Sequence, residues 1–142
     1  MRVLVQAAAF DPWKEMTAYQ QPQPGLAGKF GATTVFVGCL RDFNQGNAVA
    51  GMTLEHYPGM TEKHLERVSA EAGQRWEILD SLVIHRVGPL LPNDPIVLVA
   101  VWSAHRDAAF FACRYIIDEL KTRAPFWKQE RTPDGQRWVA PE

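Results

Sequence analysis

Cysteine is scarce in this chain. Cys39 and Cys113 are the only two among 142 residues, they sit in apolar surroundings, and no CxxC spacing joins them. That excludes a disulfide framework and argues for a reducing compartment, the cytoplasm. Of the four histidines, His56 and His64 do not make a metal set with His85, and His85 and His105 lie on separate strands with no acidic partner at ligand spacing, so no metal site is expected. Long apolar runs are missing too. None approaches the ~20 residues of a membrane span. The stretch after Arg2 meets Asp11-Pro12 too soon for a signal peptide and reads as a first strand. Neither sign of charge dominates: 15 basic against 16 acidic residues leave a net charge of −1. There is thus no general pull toward nucleic acid or membrane, and any anion site must be a local cluster. The chain has no GxxxxGK[ST], GxGxxG or GxSxG, which leaves nucleotide-binding folds and hydrolase elbows without support. Without linker or internal repeat, residues 1–142 are expected to form one domain around one core.

What is present alternates between strand and helix signals. Arg2 to Ala9 predicts a strand, and Asp11-Pro12 starts a short helix to about Gln20, with Asp as cap and Pro at the first position. The Pro- and Gly-rich 21–28 segment is a loop. Gly31 to Leu40 is β-branched and reads as a buried strand, with Gly38 marking a bulge or a close backbone approach. A polar loop, Arg41 to Asn47, leads to a strand over Val49–Tyr57. Thr61 is then expected to cap a helix to Trp76 with an inner stripe of Leu65, Val68, Ala72 and Trp76. Ile78–Val87 predicts a strand, 90–95 a turn, and the continuous run Ile96–Trp102 a central strand covered on both faces. A second long helix spans Asp107 to about Thr122, with Phe110, Cys113, Ile117 and Leu120 on its inner side and Phe111 beside them, until Pro125 stops it. A hairpin around Thr132-Pro-Asp-Gly closes the chain. The order predicts an α+β fold: a mixed or antiparallel sheet, two long helices packed on it, and a C-terminal hairpin.

The stretch Ser103–Glu130 holds the residues with the most chemistry. Lys121 and Lys128 lie seven positions apart around Pro125-Phe126-Trp127. A neighbouring cation or a dry pocket would make such an amine a better nucleophile or base. Two solvated lysines, one complementing a helix C-terminal dipole, account for the same spacing. His105-Arg106 stands where a strand hands over to a helix, a place that favours anions and adds a bidentate guanidinium. A plain polar helix start with Asp107 as cap fits equally. His85-Arg86 reads as strand-end structure, and Arg41 enters a loop at a strand end, where sites often lie. His105 and Lys121 are sixteen residues apart, so on one helix their backbones stand roughly 24 Å apart. If both act on one small substrate, the pocket is shared across a symmetric dimer.

The segments LEHYPGMTEKHL (54–65), IHRVG (84–88), SAHRDAAF (103–110) and LKTRAPFWKQE (120–130) resemble the large, catalytic subunit of molybdopterin synthase, in order and with compatible spacing from Gly31 to Val139. The LKxxxPxWKxE segment is specific; isolated His-Arg pairs are not. The resemblance implies an α/β hammerhead-type fold and a sulfurtransferase of molybdenum cofactor biosynthesis. Its substrate would be cyclic pyranopterin monophosphate. Its sulfur would come from the C-terminal Gly-Gly thiocarboxylate of a small ubiquitin-like subunit. The expected assembly is a homodimer within a heterotetramer, with no cofactor implied. By the same resemblance Lys121 and Lys128 are catalytic. Arg41, His105 and Arg106 contact the pterin phosphate, the last two from the neighbouring subunit. Cys39-Leu40 and Lys128-Gln129-Glu130 line the substrate. The chain departs from some members in having Cys39 where they carry a basic residue, which implies one cation fewer. It also ends at Glu142 without their basic extension. The competing reading is a non-catalytic scaffold that holds the Gly-Gly tail, although paired amines exceed what peptide capture needs.

Overall fold

The computed structural model describes residues 1–44, 46–123 and 125–139. Gln45 of the polar loop and Glu142 lie outside the described residues. The chain opens with β1 (Arg2–Gln6) and α1 (Pro12–Gln20). Asp11 caps α1 through its carboxylate, which accepts from the N–H groups of Trp13 and Lys14 at 3.0 and 3.3 Å. Then follow β2 (Ala32–Cys39), the two-residue strands β3 (Phe43–Asn44) and β4 (Asn47–Ala48), β5 (Gly51–His56) and α2 (Met60–Arg75). The second half runs β6 (Asp80–Arg86), β7 (Gly88–Leu90), β8 (Pro95–Ser103), α3 (Arg106–Arg123), β9 (Phe126–Thr132) and β10 (Gly135–Val139).

The α+β class stands, but the strands form two four-stranded sheets. The first has the order β1-β6-β8-β2, with β1 and β6 parallel and the other pairs antiparallel. The second has the order β10-β9-β5-β7 and is antiparallel throughout. β8 is interior, as its unbroken apolar run predicts, and alternation splits its side chains between two cores. Val97, Val99 and Val101 face α2 and α3, in a core that also takes Met52, Leu54 and Leu90 from the second sheet. Leu98, Ala100 and Trp102 face the α1 side with Leu26 and Phe10. The large core thus joins both sheets, while Trp102 is locked from the other side by its Nε1–H donating to Gln20 Oε1 at 2.9 Å.

Several local expectations change. Thr61 does not cap α2. The cap position is Gly59 at φ 81°, a conformation glycine takes without strain, and its N–H donates to Glu62 Oε2 at 2.9 Å. Thr61 is buried in the first turn, with its hydroxyl toward the Pro125 carbonyl. Phe110 and Phe111 are not on the inner side of α3: they are 60% and 58% exposed. The stripe is Ala109, Ala112, Cys113, Ile116, Ile117 and Leu120, because small residues let the helix approach the sheet and push the rings to its flank, where Phe111 stacks on Trp76. β2 is an edge strand, half-buried and not buried, since only β8 pairs with it among the described strands. The polar loop carries the β3–β4 ladder, and the expected turn after residue 90 is preceded by the unforeseen strand β7.

Candidate functional site

The two lysines converge. Lys121 comes from the last turn of α3 and Lys128 from β9, and both line one cleft. The chain between them contains Pro125, which ends the helix and lets the backbone fold back as a strand. Alternation along β9 then decides which side chains reach the site. Phe126, Lys128 and Glu130 share the inner face, while Trp127 points outward and meets Tyr57 edge-on at 4.4 Å. The opposite wall is the end of β2. The register shifts between Gly38 and Cys39, and a Cβ on Gly38 would stand 2.9 Å from Val97 Cγ1. Gly38 is therefore both a bulge site and a close approach, and it turns Cys39 into the cleft mouth, where its thiol is exposed.

The floor of the cleft holds His85. On β6 it follows Val83 on the face toward the large core, and it is only 4% exposed. Its ring stacks on Phe126, with centroids 3.9 Å apart and planes 17° from parallel. Nδ1 lies 2.8 Å from the Arg86 carbonyl oxygen. A carbonyl only accepts, so Nδ1 carries the proton and Nε2 keeps its lone pair. Burial pushes this imidazole down to about 3, against the bond to Arg86, and the charges of Lys128, Lys121 and His56 push the same way. The ring is neutral at every physiological pH. A dry wall, a neutral acceptor and two amines can hold an anion and oppose charge developing on a carbonyl-type oxygen.

The other predicted residues divide sharply. Glu130 is 1% exposed and engaged within the fold: Asn44 Nδ2 donates to Oε2 at 2.9 Å, and Arg137 pairs with Oε1 at 2.9 Å. Arg137 also donates to the Asn44 carbonyl at 2.8 Å, so Glu130 and Arg137 tie the β3 strand to the second sheet. Gln129 falls on the outer face of β9, opposite to Lys128. Leu40 is a core residue whose N–H donates to the Asp94 carbonyl and whose carbonyl accepts from Asn93, at 3.0 and 2.8 Å. Arg41 is exposed on the following loop, near Asn44. His105 and Arg106 are exposed at the start of α3, at the opposite end of the helix from Lys121. Within one chain, then, Lys121, Lys128 and Cys39 come together, and Arg41, His105 and Arg106 do not join them at the cleft. Sequence reading missed His85 and Phe126 as site residues. The signal was available in the odd-numbered alternation Ser81, Val83, His85, which puts an imidazole on a core-facing row.

Among the described residues no three histidines, cysteines or carboxylates gather as a metal group, and no helix is long and apolar enough to cross a membrane. Fold and cleft together define an α+β protein with two amines, a thiol and a buried imidazole gathered on one half-apolar cleft.

The chain belongs to the MoaE protein family, whose model matches residues 5–123. It is 55% identical over 139 residues to a "Molybdopterin synthase catalytic subunit" of Pseudomonas aeruginosa, covering 98% of this chain and 90% of the relative. Its structure superposes on that of molybdopterin synthase from Staphylococcus aureus with a TM-score of 0.84 at 30% identity, covering 96% of each chain. The same fold, at 22% identity, recurs in a complex of subunits 1 and 2 of molybdopterin-converting factor from Helicobacter pylori. The TM-score there is 0.79, over 96% of this chain and 89% of that one.

Proposed function

We propose that this chain is the catalytic subunit of a molybdopterin synthase of the cytoplasm. It moves sulfur from the C-terminal thiocarboxylate of a small ubiquitin-like subunit to cyclic pyranopterin monophosphate, forming the dithiolene of molybdopterin. The observation that carries the reading is the convergence of Lys121 and Lys128 on one half-apolar cleft. The cleft admits an extended tail whose last residue presents its thiocarboxylate to two amines. In each of two transfers the thiocarboxylate sulfur forms a bond to a side-chain carbon of the pterin while a carbon–oxygen bond there breaks, the oxygen leaving with the phosphate or, once protonated, as water. Water then cleaves the acyl–sulfur bond and returns a carboxylate to the tail. Lys121 and Lys128 hold the thiocarboxylate anion before the first step and oppose the negative charge that develops on the acyl oxygen when water attacks, and Lys121 moves the proton in this reading.

Arg41 and the His105-Arg106 pair of a second subunit anchor the pterin phosphate in this reading. Its support is the single unbroken helix Arg106–Arg123. That rod keeps His105 far from the Lys121 of its own chain and leaves it exposed for a neighbour. Gln129 and Glu130 enter the reading through their backbone and through the hold on Lys128, not as side chains at the substrate.

The test is a single-turnover reaction of this protein with cyclic pyranopterin monophosphate and a thiocarboxylated small subunit, read as the fluorescent oxidation product of molybdopterin. Wild type forms product, and Lys121→Ala loses it by about a hundredfold or more while its unfolding curve stays within about 1 kcal/mol. Product at the wild-type rate from that variant overturns the assignment. A wild type that binds the small subunit without making product turns the reading to a scaffold.

A further inference from the structure

Among the described residues, His85 is the one deeply buried titratable group at the cleft that the proposed roles leave unused. Its ring is fixed from three directions. Phe126 stacks on one face at 3.9 Å, the Arg86 carbonyl holds Nδ1 at 2.8 Å, and β6 buries the rest among the core residues. The nitrogen left over is Nε2, an acceptor on a ring that lines the same cleft as Lys121 and Lys128. Ammonium groups only donate, so an acceptor ring that lines the same cleft as two of them has an obvious use. Lysine is also a flexible point charge on four rotatable bonds, and it needs an outside group to fix its direction.

We propose that His85 is a positioning residue: its Nε2 accepts a hydrogen bond from an ammonium group of the lysine pair and sets the angle at which the amines face the reacting acyl group. A carboxylate in that place would neutralise the pair and compete with the anionic substrate. A protonated imidazole would add a third cation and donate instead of accept. A dry, neutral imidazole orients the amines and leaves their charge for the substrate. The inference rests on the function proposed above for the identity of the reacting group, but its structural half stands apart from turnover.

That half is read first on the wild-type chain. Long-range proton–nitrogen spectra of the histidine rings, recorded from pH 8 to pH 5, should show His85 with its proton on Nδ1 throughout. A ring protonated on Nε2 overturns the proposal whatever the activity. His85→Phe keeps the stack and removes the acceptor; His85→Gln returns a neutral acceptor. In carbon-labelled lysine spectra His85→Phe should move the titration of Lys121 or Lys128, and His85→Gln should bring it back toward wild type. In the single-turnover reaction His85→Phe should slow the chemical step by about tenfold to a hundredfold. Affinity for a peptide of the small subunit's tail should stay within about twofold, the split expected when orientation and not binding is lost. Unchanged lysine titrations and an unchanged rate in a folded His85→Phe variant sink the idea. If that variant does not fold, the wild-type tautomer and the His85→Gln titrations decide. Loss of all turnover in wild type counts against the proposed function, whereas the tautomer and lysine titrations still judge His85.

Discussion

The two thiols show how much environment decides at the scale of a residue. Burial beneath the β-sheet pushes Cys113 up to about 11, whereas Cys39 stands exposed at the cleft mouth. A disulfide-exchange reagent should therefore titrate one thiol in the native chain and two in denaturant, and Cys39→Ser should remove the native one. Two fast thiols in the native state would mean the β2 wall is open. His85 sets the acid response. Its pKa is lowered by burial from 6.5 to about 3, so the unfolded chain binds the extra proton between those values. Stability is complete above about pH 6.5 and falls as the pH drops toward 3, by up to about 1.4 kcal/mol per unit from this group. Denaturant melts at pH 7, 6 and 5 should show a steeper loss for wild type than for His85→Gln. Equal slopes would mean that the imidazole is not held neutral.

Elements place these residues, and the bulge in β2 is the most exacting of them. A methyl group on Gly38 would meet Val97 Cγ1 at 2.9 Å and the Phe36 ring at 3.3 Å. Gly38→Ala should cost about 1–3 kcal/mol, as overpacking does, and shift Cys39 at the cleft wall. Calorimetry alongside the single-turnover rate would check both, and an unchanged melting point would show that β2 yields at its free edge. Helix α3 illustrates why a periodic pattern can be right about an element and wrong about its face. Cys113, Ile117 and Leu120 do face the core, yet Phe110 does not, because Ala109 and Ala112 win the inner position by fitting close to β8 and β2. Hydrophobicity alone favours the larger ring; steric closeness at the sheet favours the smaller side chain.

For the whole molecule the length of α3 has a consequence for assembly. If His105 and Arg106 serve the cleft of a partner subunit, two inactive variants should rescue each other. Lys121→Ala mixed with Arg106→Ala, after subunit exchange, should recover about a quarter of wild-type turnover. Half the dimers are then mixed, and each mixed dimer has one intact site of two. No recovery after verified exchange would place the whole site in one chain. The sequence by itself determined the longer strands, the three helices and the motif around Lys121 and Lys128. Those depend on near neighbours along the chain: alternation, caps, breakers and spacing. Tertiary structure alone decided that the strands divide into two sheets, that Glu130 is spent on Arg137 and Asn44, and that His85 stacks on Phe126 in the cleft that Lys121 and Lys128 also line. Each of these joins residues tens of positions apart. No local pattern encodes which distant partner satisfies a buried carboxylate or keeps water from an imidazole, since that follows from how the completed layers pack.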